Sequence, residues 1–294
     1  MVFRQSCVRV ATGYDAAVHV SRTAPGRPPR TGTVLPVQLL STDFDGTLHA
    51  EYESPPVPQA LQHLIGTLQQ RGLTWVINTG RDLSSLMETL GRAQLSIWPD
   101  YVVTVEREIH CRADGQYLPL HSWNRSCEVA HQQLFTRVRQ DVPRLTEWVQ
   151  SRFKATIYED PFSPFCLIAG NNPEADIIYA FLQEYCATVP SLTVVRNDVY
   201  ARFSHTDFNK GSALGEVARQ LGVSPEQTVA AGDHLNDLPM LSTRYAKWLI
   251  APGNAVPEVK EAVRAQEGHV SEELFGYGVA QGLRSLLKSL GQAL

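Results

Sequence analysis

The chain alternates short apolar runs with amphipathic helical patterns, and this alternation constrains its fold more than any other feature. Apolar runs of strand length occur at 34–40, 73–78 and 101–105, with helical periodicity between them. The same rhythm resumes from Lys210, with a strand-like run at 228–231. Strands that alternate with helices are typical of parallel sheets. The predicted fold class is therefore α/β, with a doubly wound, mostly parallel sheet.

The segment between these two parts breaks the alternation. It holds a hairpin pattern at 110–120, with Asp114-Gly115 as its turn, and a long polar helical stretch at 126–153 that Pro143 is expected to break. We interpret this segment as an inserted α+β domain. The predicted organisation is a flexible N-terminal extension, a catalytic core in two pieces and the insert, over residues 1–36, 37–109 with 199–294, and 110–198.

Composition limits the class of partner. A net charge of −4 argues against a nucleic-acid or anionic-membrane binder. No apolar run approaches the roughly 20 residues that span a bilayer. The 5 cysteines are odd in number and lack C-x-x-C spacing, which favours reduced thiols in a cytoplasmic protein. The basic, acid-poor start of the chain resembles an organellar transit peptide, which is the alternative location.

Two carboxylates stand where the first strand is expected to end, in Ser41-Thr42-Asp43-Phe44-Asp45-Gly46-Thr47-Leu48. Alternate residues of a strand point to the same face, so Asp43 and Asp45 are expected to aim at one spot. Open α/β sheets bind their ligands at this edge. Paired carboxylates there can hold a hard cation, attack an electrophile or transfer a proton.

Three further polar groups follow strands or begin helices. The Thr79-Gly80 turn offers a hydroxyl and backbone amides to phosphate oxygens. Lys210 begins a helix, where a cation opposes the helix dipole and needs a compensating anion. The sequence Gly232-Asp233-His234-Leu235-Asn236-Asp237 offers oxygen ligands for a cation. Taken singly, each is also an ordinary structural feature: a turn, a solvated lysine or a helix cap.

Together these groups supply what hydrolysis of a phosphate monoester requires. Asp43 can attack phosphorus and form an aspartyl phosphate, while Asp45 protonates the leaving alkoxide and later deprotonates water. Mg²⁺ held by Asp43, Asp233 and the backbone carbonyl of Asp45 can screen the repulsion between carboxylate and phosphate. The Thr79-Gly80 turn and Lys210 can hold the phosphate. The expected partner is a small phosphorylated metabolite.

The order and type of these residues resemble the phosphatases of the haloacid dehalogenase superfamily. The matching motifs are Asp43-Phe44-Asp45-Gly46-Thr47, Thr79-Gly80-Arg81, Lys210 and Gly232-Asp233-His234-Leu235-Asn236-Asp237. The insert between the second and third motifs is similar to a type C2 cap. The segments Asn209-Lys210-Gly211 and Gly253-Asn254-Ala255 resemble the Cof-like and sucrose-phosphatase-like branch.

The resemblance implies a Mg²⁺-dependent phosphatase of small phosphorylated metabolites, often sugar phosphates. It implies that Asn236 and Asp237 support the metal and the lysine. The chain departs from that branch after the strand at 101–105, where a Gly-containing turn is common and Glu106 and Arg107 stand instead. These two residues either reach the substrate pocket or remain solvated charges.

Three alternative functions use the same residues. A phosphotransferase or phosphomutase would pass the aspartyl phosphate to another acceptor. A receiver-like signalling module also combines acidic residues, Thr and Lys on a doubly wound sheet, but Asp45 would hasten loss of its phosphoryl group. A catalytically silent binding protein is the third alternative.

Overall fold

The computed structural model describes residues 35–292 of the 294-residue chain. The N-terminal extension predicted over 1–36 lies outside the described residues except for its last two. Leu35 is buried in the hydrophobic core, so the prediction of a flexible extension does not hold at that residue.

The elements follow one another in an order that alternates at both ends of the chain and changes in the middle. They are β1 (Leu39–Thr42), α1 (Gln59–Gln70), β2 (Thr74–Asn78), α2 (Leu83–Arg92), β3 (Tyr101–Thr104), β4 (Glu108–Ala113), β5 (Gln116–Pro119), α3 (His121–Val138), α4 (Val142–Gln150), β6 (Thr156–Asp160), β7 (Ser163–Ile168), α5 (Asn172–Ala187), β8 (Leu192–Asn197), β9 (Tyr200–His205), α6 (Lys210–Leu221), β10 (Thr228–Ala231), β11 (Trp248–Ala251), α7 (Pro257–Ala265), β12 (His269–Val270) and α8 (Phe275–Ser289).

An eight-stranded sheet forms the larger part, in the order β12-β11-β10-β1-β2-β3-β4-β5. The strands from β12 to β3 are parallel, and β4 and β5 add an antiparallel edge. Helices α1, α2 and α8 pack on one face, and α6 and α7 pack on the other. The predicted α/β class with a mostly parallel, doubly wound sheet is confirmed.

Burial on both faces explains why the central strands are apolar along their whole length. Every residue of β1, β2 and β10 is buried, as in parallel sheets covered by helices on both sides. Each fully buried Leu or Ile side chain there contributes about 1.5–3 kcal/mol relative to an exposed one. The helices begin where the sequence provides caps: Asp82 accepts from the Ser85 amide at the start of α2.

The inserted part is a four-stranded antiparallel sheet in the order β6-β7-β9-β8. Helices α3, α4 and α5 cover one of its faces around a separate apolar cluster that includes Phe165 and Phe203. By strand pairing this part spans 121–205 instead of the predicted 110–198. The hairpin of β4 and β5 bonds to β3 in the large sheet, with Val102 opposite His110, whereas β9 bonds to β7 and β8.

Two other details differ from the sequence pattern. The helical stretch expected at 126–153 is two helices, because the chain turns before α4, where Pro143 occupies the first helical turn. Strand β6 and the two-residue β12 carried no recognisable pattern; β6 is an edge strand with mostly exposed side chains. None of the helices within residues 35–292 combines the length and hydropathy needed to cross a bilayer.

Candidate active site

The carboxyl ends of β1, β2 and β10 meet at one edge of the large sheet. Thr42, the last residue of β1, lies opposite Ile77 of β2 and Ala231 of β10. The segments that follow these strands carry Asp43, Thr79 and Asp233, so parallel register alone brings three of the four predicted motifs together. The fourth comes from the first residue of α6.

Lys210 ties two of these segments together. Its Nζ donates to Asp43 Oδ1 and to Asp237 Oδ1, at 2.6 Å each, and the residue is 1% exposed. Asn209 fixes the lysine in place by capping α6 through a reciprocal pair of hydrogen bonds with Ser212. A cation at the start of a helix needs a compensating anion, and for Lys210 the buried carboxylates of Asp43 and Asp237 supply it.

Asp237 organises the loop after β10. Its Oδ2 accepts from the backbone amides of Asp233, at 2.8 Å, and His234, at 3.0 Å, while Oδ1 faces Lys210. A Cβ on Gly232 would lie 2.6 Å from the Asp237 side chain, so a larger residue does not fit there. Asp237 thus positions the loop and the lysine at the same time.

Asp233 approaches the first motif equally closely. Thr47 Oγ1 donates to Asp233 Oδ1 at 2.7 Å. Gly46 adopts a positive φ of 80°, and a Cβ there would come within 2.5 Å of Asp233 Oδ2. Glycine at this position permits both the turn and the close approach of the two loops.

Burial and repulsion between the carboxylates raise the pKa values of Asp43 and Asp233. Burial, reinforced by Asp237, raises the pKa of Asp43 well above its usual value despite the opposing charge of Lys210. Burial and Asp237 also raise the pKa of Asp233, to about 7, against the hydrogen bond from Thr47. Burial would lower the pKa of Lys210, but Asp237 and Asp43 raise it, so the lysine is charged.

The cluster fits a hard divalent cation. One carboxylate oxygen from each of Asp43, Asp233 and Asp237 lies within 4.8 Å of the others. Carboxylate oxygens are the ligands Mg²⁺ prefers. A single lysine leaves this buried group with excess negative charge, which adds to the effect of burial in raising the pKa values of Asp43 and Asp233. Because Asp237 is engaged by Lys210 and two amides, Asp43 and Asp233 are the better ligands.

Asp45 does not aim at the same spot as Asp43. Its carboxylate accepts from Arg81 Nε at 2.7 Å and from Nη2 at 2.8 Å, and His49 Nδ1 lies 3.7 Å away. Burial would raise the pKa of Asp45, but the hydrogen bonds from His49 and Arg81 lower it to about 2. The expectation failed because β1 ends at Thr42, so strand alternation does not govern the pair.

Thr79 and its neighbours form a loop beside the cluster. The Thr79 amide donates to Val103 O at 2.8 Å, and its Oγ1 accepts from the Arg81 amide at 3.2 Å. Thr79 is buried at the end of β2, and Gly80 follows it in the gap between the large sheet and β9 of the insert.

The structure adds residues that the motifs did not identify. Asn236 Nδ2 donates to Glu106 Oε1 at 3.0 Å, so the departure from the family pattern lies at the site and not in solvent. Arg202 of β9 donates to Gly80 O at 3.2 Å. The replacement of the common Gly-containing turn after β3 was a sequence signal that Glu106 belongs to the site. Nothing in the local sequence around Arg202 indicates a site residue.

Comparison with known proteins agrees with this geometry. The family model described as haloacid dehalogenase-like hydrolase matches residues 140–280. The 5-amino-6-(5-phospho-D-ribitylamino)uracil phosphatase YcsE of Bacillus subtilis (strain 168) is 24% identical over 263 residues, covering 84% of this chain and 95% of that protein.

Solved structures give the same result for the fold. The sucrose-phosphatase of Synechocystis sp. PCC6803, solved with sucrose and phosphate, superimposes with a TM-score of 0.62 at 19% identity, covering 86% of this chain and 97% of that one. A haloacid dehalogenase-like hydrolase from Bacteroides thetaiotaomicron gives a TM-score of 0.56 at 16% identity, covering 85% and 99%.

The large sheet with its inserted domain is the fold of haloacid dehalogenase-like structures, and the haloacid dehalogenase-like hydrolase model matches residues 140–280 of this chain. The resemblance drawn from the motifs is thereby confirmed. As an enzyme the chain is a phosphoric monoester hydrolase, the class to which its phosphatase relatives belong.

Proposed function

We propose that the protein is a Mg²⁺-dependent phosphatase that hydrolyses a small phosphorylated metabolite, a sugar phosphate, through an aspartyl-phosphate intermediate. The observation that carries this proposal is the position of Lys210 between Asp43 and Asp237, with Asp233 completing the acidic cluster. The lysine holds one carboxylate ready as a nucleophile, beside a set of oxygens suited to a cation. The same proposal places the enzyme in the cytoplasm, in agreement with the free thiols of Cys111, Cys127, Cys166 and Cys186.

The chain's own residues account for the two half-reactions. Asp43 attacks phosphorus through a carboxylate oxygen; a phosphorus–oxygen bond forms, and the bond to the leaving alkoxide breaks. The alkoxide takes its proton from Asp45. Asp45 then accepts a proton from the water that attacks the aspartyl phosphate, which releases inorganic phosphate and restores Asp43.

Phosphate binding falls to residues around Asp43. Thr79, the Gly80 amide and the Lys210 ammonium are the groups proposed to hold the phosphate oxygens. Asp43, Asp233 and the backbone carbonyl of Asp45 would hold Mg²⁺, with Asn236 and Asp237 supporting. The cation would supply positive charge that lowers the pKa of Asp43 and offsets its repulsion with the phosphate.

The sugar phosphate is the finer part of the proposal. One relative was solved with sucrose and phosphate, and another is named as a phosphatase of a ribitylamino-uracil phosphate. Both named compounds contain several hydroxyl groups. The site described here agrees with that chemistry, because Glu106, Asn236 and Arg202 surround it with hydrogen-bonding groups.

The proposal is tested by Asp43→Asn on the full chain with p-nitrophenyl phosphate and Mg²⁺. We expect loss of turnover by at least a thousandfold with the fold retained in circular dichroism, because the neutral amide cannot attack phosphorus. The matched control is Asp207→Asn, an exposed acid, which should retain full activity. Retention of most activity in Asp43→Asn would contradict the assignment of the nucleophile.

The intermediate itself needs a second measurement. Rapid acid quenching followed by mass spectrometry of the Asp43 peptide should detect a phosphoryl group during turnover. We expect Asp45→Asn to increase its amount, since hydrolysis of the intermediate then lacks its base. A phosphoryl group that persists for minutes in the wild type would favour the signalling module instead.

A further inference from the structure

The turn after β3 is held against the phosphate-binding loop in an unusual conformation. Val105 and Glu106 have φ values of 45° and 68°, which non-glycine residues rarely adopt. Their amides donate to Arg81 O at 2.8 Å and to Thr79 O at 2.9 Å. A β-branched residue in this region persists only where the surroundings enforce it, and such positions cluster at functional sites.

This conformation carries a buried carboxylate to the edge of the site. Glu106 is 7% exposed, and its Oε1 accepts from Asn236 Nδ2. Within residues 35–292 no Lys, Arg or His nitrogen lies within salt-bridge distance of it. Asn236 Oδ1 is buried and has no hydrogen-bond partner among the described residues. A buried polar group without a partner points to a ligand that the protein alone does not supply.

A guanidinium approaches the same place from the insert. Arg202 of β9 lies in a row of residues that are opposite one another across the four strands. The row runs from Tyr158 in β6 through Cys166 in β7 and Arg202 to Val195 in β8. They lie on the sheet face that helices α3, α4 and α5 leave uncovered, since Ala201 and Phe203 face the helices. The Arg202 contact with Gly80 O shows that this face is turned toward the catalytic edge.

Glu106 and Arg202 border one small space above Gly80. A Cβ placed on Gly80 would lie 3.3 Å from Glu106 Oε1 and 4.0 Å from Arg202 Nη2. The two side chains do not form an ion pair with each other. A strong acceptor and a strong donor therefore face the same gap, next to the loop proposed to hold the phosphate.

We propose that Glu106 and Arg202 are specificity-determining residues that bind a hydroxyl group on the carbon next to the phosphorylated carbon of the substrate. A hydroxyl can donate to the carboxylate and accept from the guanidinium at once, which an alkyl or aromatic leaving group cannot do. The substrate class is thus a vicinally hydroxylated phosphate ester, a sugar or polyol phosphate. The inference rests on the proposed function and names the residues that select its substrate.

The test compares two esters that differ in their hydroxyl groups, sn-glycerol 3-phosphate and n-propyl phosphate, with Mg²⁺ and the full chain. We expect the wild type to prefer glycerol phosphate by at least tenfold in kcat/KM, because burying the charged groups without a partner penalises the propyl ester. Glu106→Gly and Arg202→Met should reduce this preference to threefold or less, because glycerol phosphate loses more in kcat/KM than propyl phosphate does. Glycine fits the positive φ at 106, so this variant keeps the turn.

Glu108→Gln is the matched control, since it removes a nearby carboxylate that does not contact the site, and it should keep the preference. Equal loss on both esters would show that Glu106 and Arg202 act only on structure or on the reacting phosphate, and would overturn the inference. A wild type that shows no preference between the two esters would also overturn the inference. If that wild type still hydrolyses p-nitrophenyl phosphate, the proposed function stands. If it hydrolyses none of the three esters, both the inference and the proposed function are overturned.

Discussion

Arg81 binds the carboxylate of Asp45 through two parallel hydrogen bonds, from Nε to Oδ2 at 2.7 Å and from Nη2 to Oδ1 at 2.8 Å. The guanidinium is anchored in turn by Ser85 and Thr89 of α2, at 3.2 and 3.0 Å. Bidentate pairs of this kind are strong and directional. In this arrangement Asp45 is an ionised acceptor, so its proposed work as a proton donor requires the carboxylate to leave Arg81.

Replacing Arg81 by Met should raise the pKa of Asp45 from about 2 toward its ordinary value of 3.8. Burial, which disfavours the charged carboxylate, would then be opposed by His49 alone. The measurement is a carbon-13 NMR titration of the Asp45 carboxyl group. The control is Arg92→Met, which removes an exposed ion pair at the end of α2, the helix that follows Arg81. A midpoint that stays near 2 in Arg81→Met would contradict the role of this pair.

Removal of the buried lysine should cost both stability and activity. In Lys210→Met the carboxylates of Asp43 and Asp237 lose their cation, and leaving a buried charge unpaired costs about 3–5 kcal/mol. The pKa of Asp43, already raised by burial, would rise further. The loss of stability in Lys210→Met is therefore absent when the pH lies below the pKa of an aspartate in the unfolded chain. It grows as the pH rises above that value.

Urea unfolding of Lys210→Met at pH 5 and pH 7.5 measures this dependence. We expect a larger loss at pH 7.5 than at pH 5, together with at least a thousandfold drop in kcat/KM. Lys288→Met, on the exposed side of α8, should change the free energy of unfolding by less than about 0.5 kcal/mol. A loss of similar size in both variants would show that the buried ion pairs do not stabilise the fold.

The predictable part of the site is the part set by parallel register. Asp43, Thr79 and Asp233 each follow a central strand, and the carboxyl ends of parallel strands lie at one edge. The sequence could not reveal the pairing of Asp45 with Arg81, because both residues lie in turns beyond the strands. Nor could it place Arg202 above Gly80, since that contact depends on how the insert packs on the core.

The same distinction holds for the fold. The fully apolar strands β1, β2 and β10 were recognisable from their composition alone. The hairpin of β4 and β5 was recognised through its Asp114-Gly115 turn, whose φ values of 49° and 81° suit that dipeptide. Its assignment to the insert failed, because a hairpin pattern does not reveal which sheet edge it extends. Only long-range pairing with β3 decides that.

Chelation should abolish the activity and Mg²⁺ should restore it. The buried acids Asp43 and Asp233 have raised pKa values that a bound cation would lower, so loss of the cation returns them toward the protonated form. Activity on p-nitrophenyl phosphate after EDTA treatment and after readdition of Mg²⁺ measures this.

Asp233→Asn should weaken Mg²⁺ binding by about 10–100-fold, measured as the Mg²⁺ concentration for half-maximal rate. Asp198→Asn, an acid of the insert outside the cluster, should leave this concentration unchanged. Full activity in the presence of EDTA, or equal Mg²⁺ requirements in both variants, would contradict the cation site.

A buried histidine of the insert should make the fold sensitive to mild acid. His131 is 5% exposed; its Nδ1–H donates to Cys127 O at 2.8 Å, and its Nε2 accepts from the His205 amide at 3.1 Å. Both nitrogens are thus satisfied in the neutral form, and a proton on Nε2 would face an N–H group. Burial, with Arg107 nearby, lowers the pKa of His131 from 6.5 to about 3.

The sign follows from the proton balance. Between pH 6.5 and pH 3 the unfolded chain binds a proton at His131 that the folded chain does not, so this residue favours unfolding as the pH falls through that range. At pH 5 the loss relative to neutral pH is about 2 kcal/mol. His131→Gln removes the titration, and the difference in unfolding free energy between pH 7 and pH 5 should shrink by that amount relative to the wild type. The exposed His63→Gln serves as the control and should keep the wild-type pH dependence, whereas identical pH profiles for all three proteins would show that His131 takes up its proton as readily folded as unfolded.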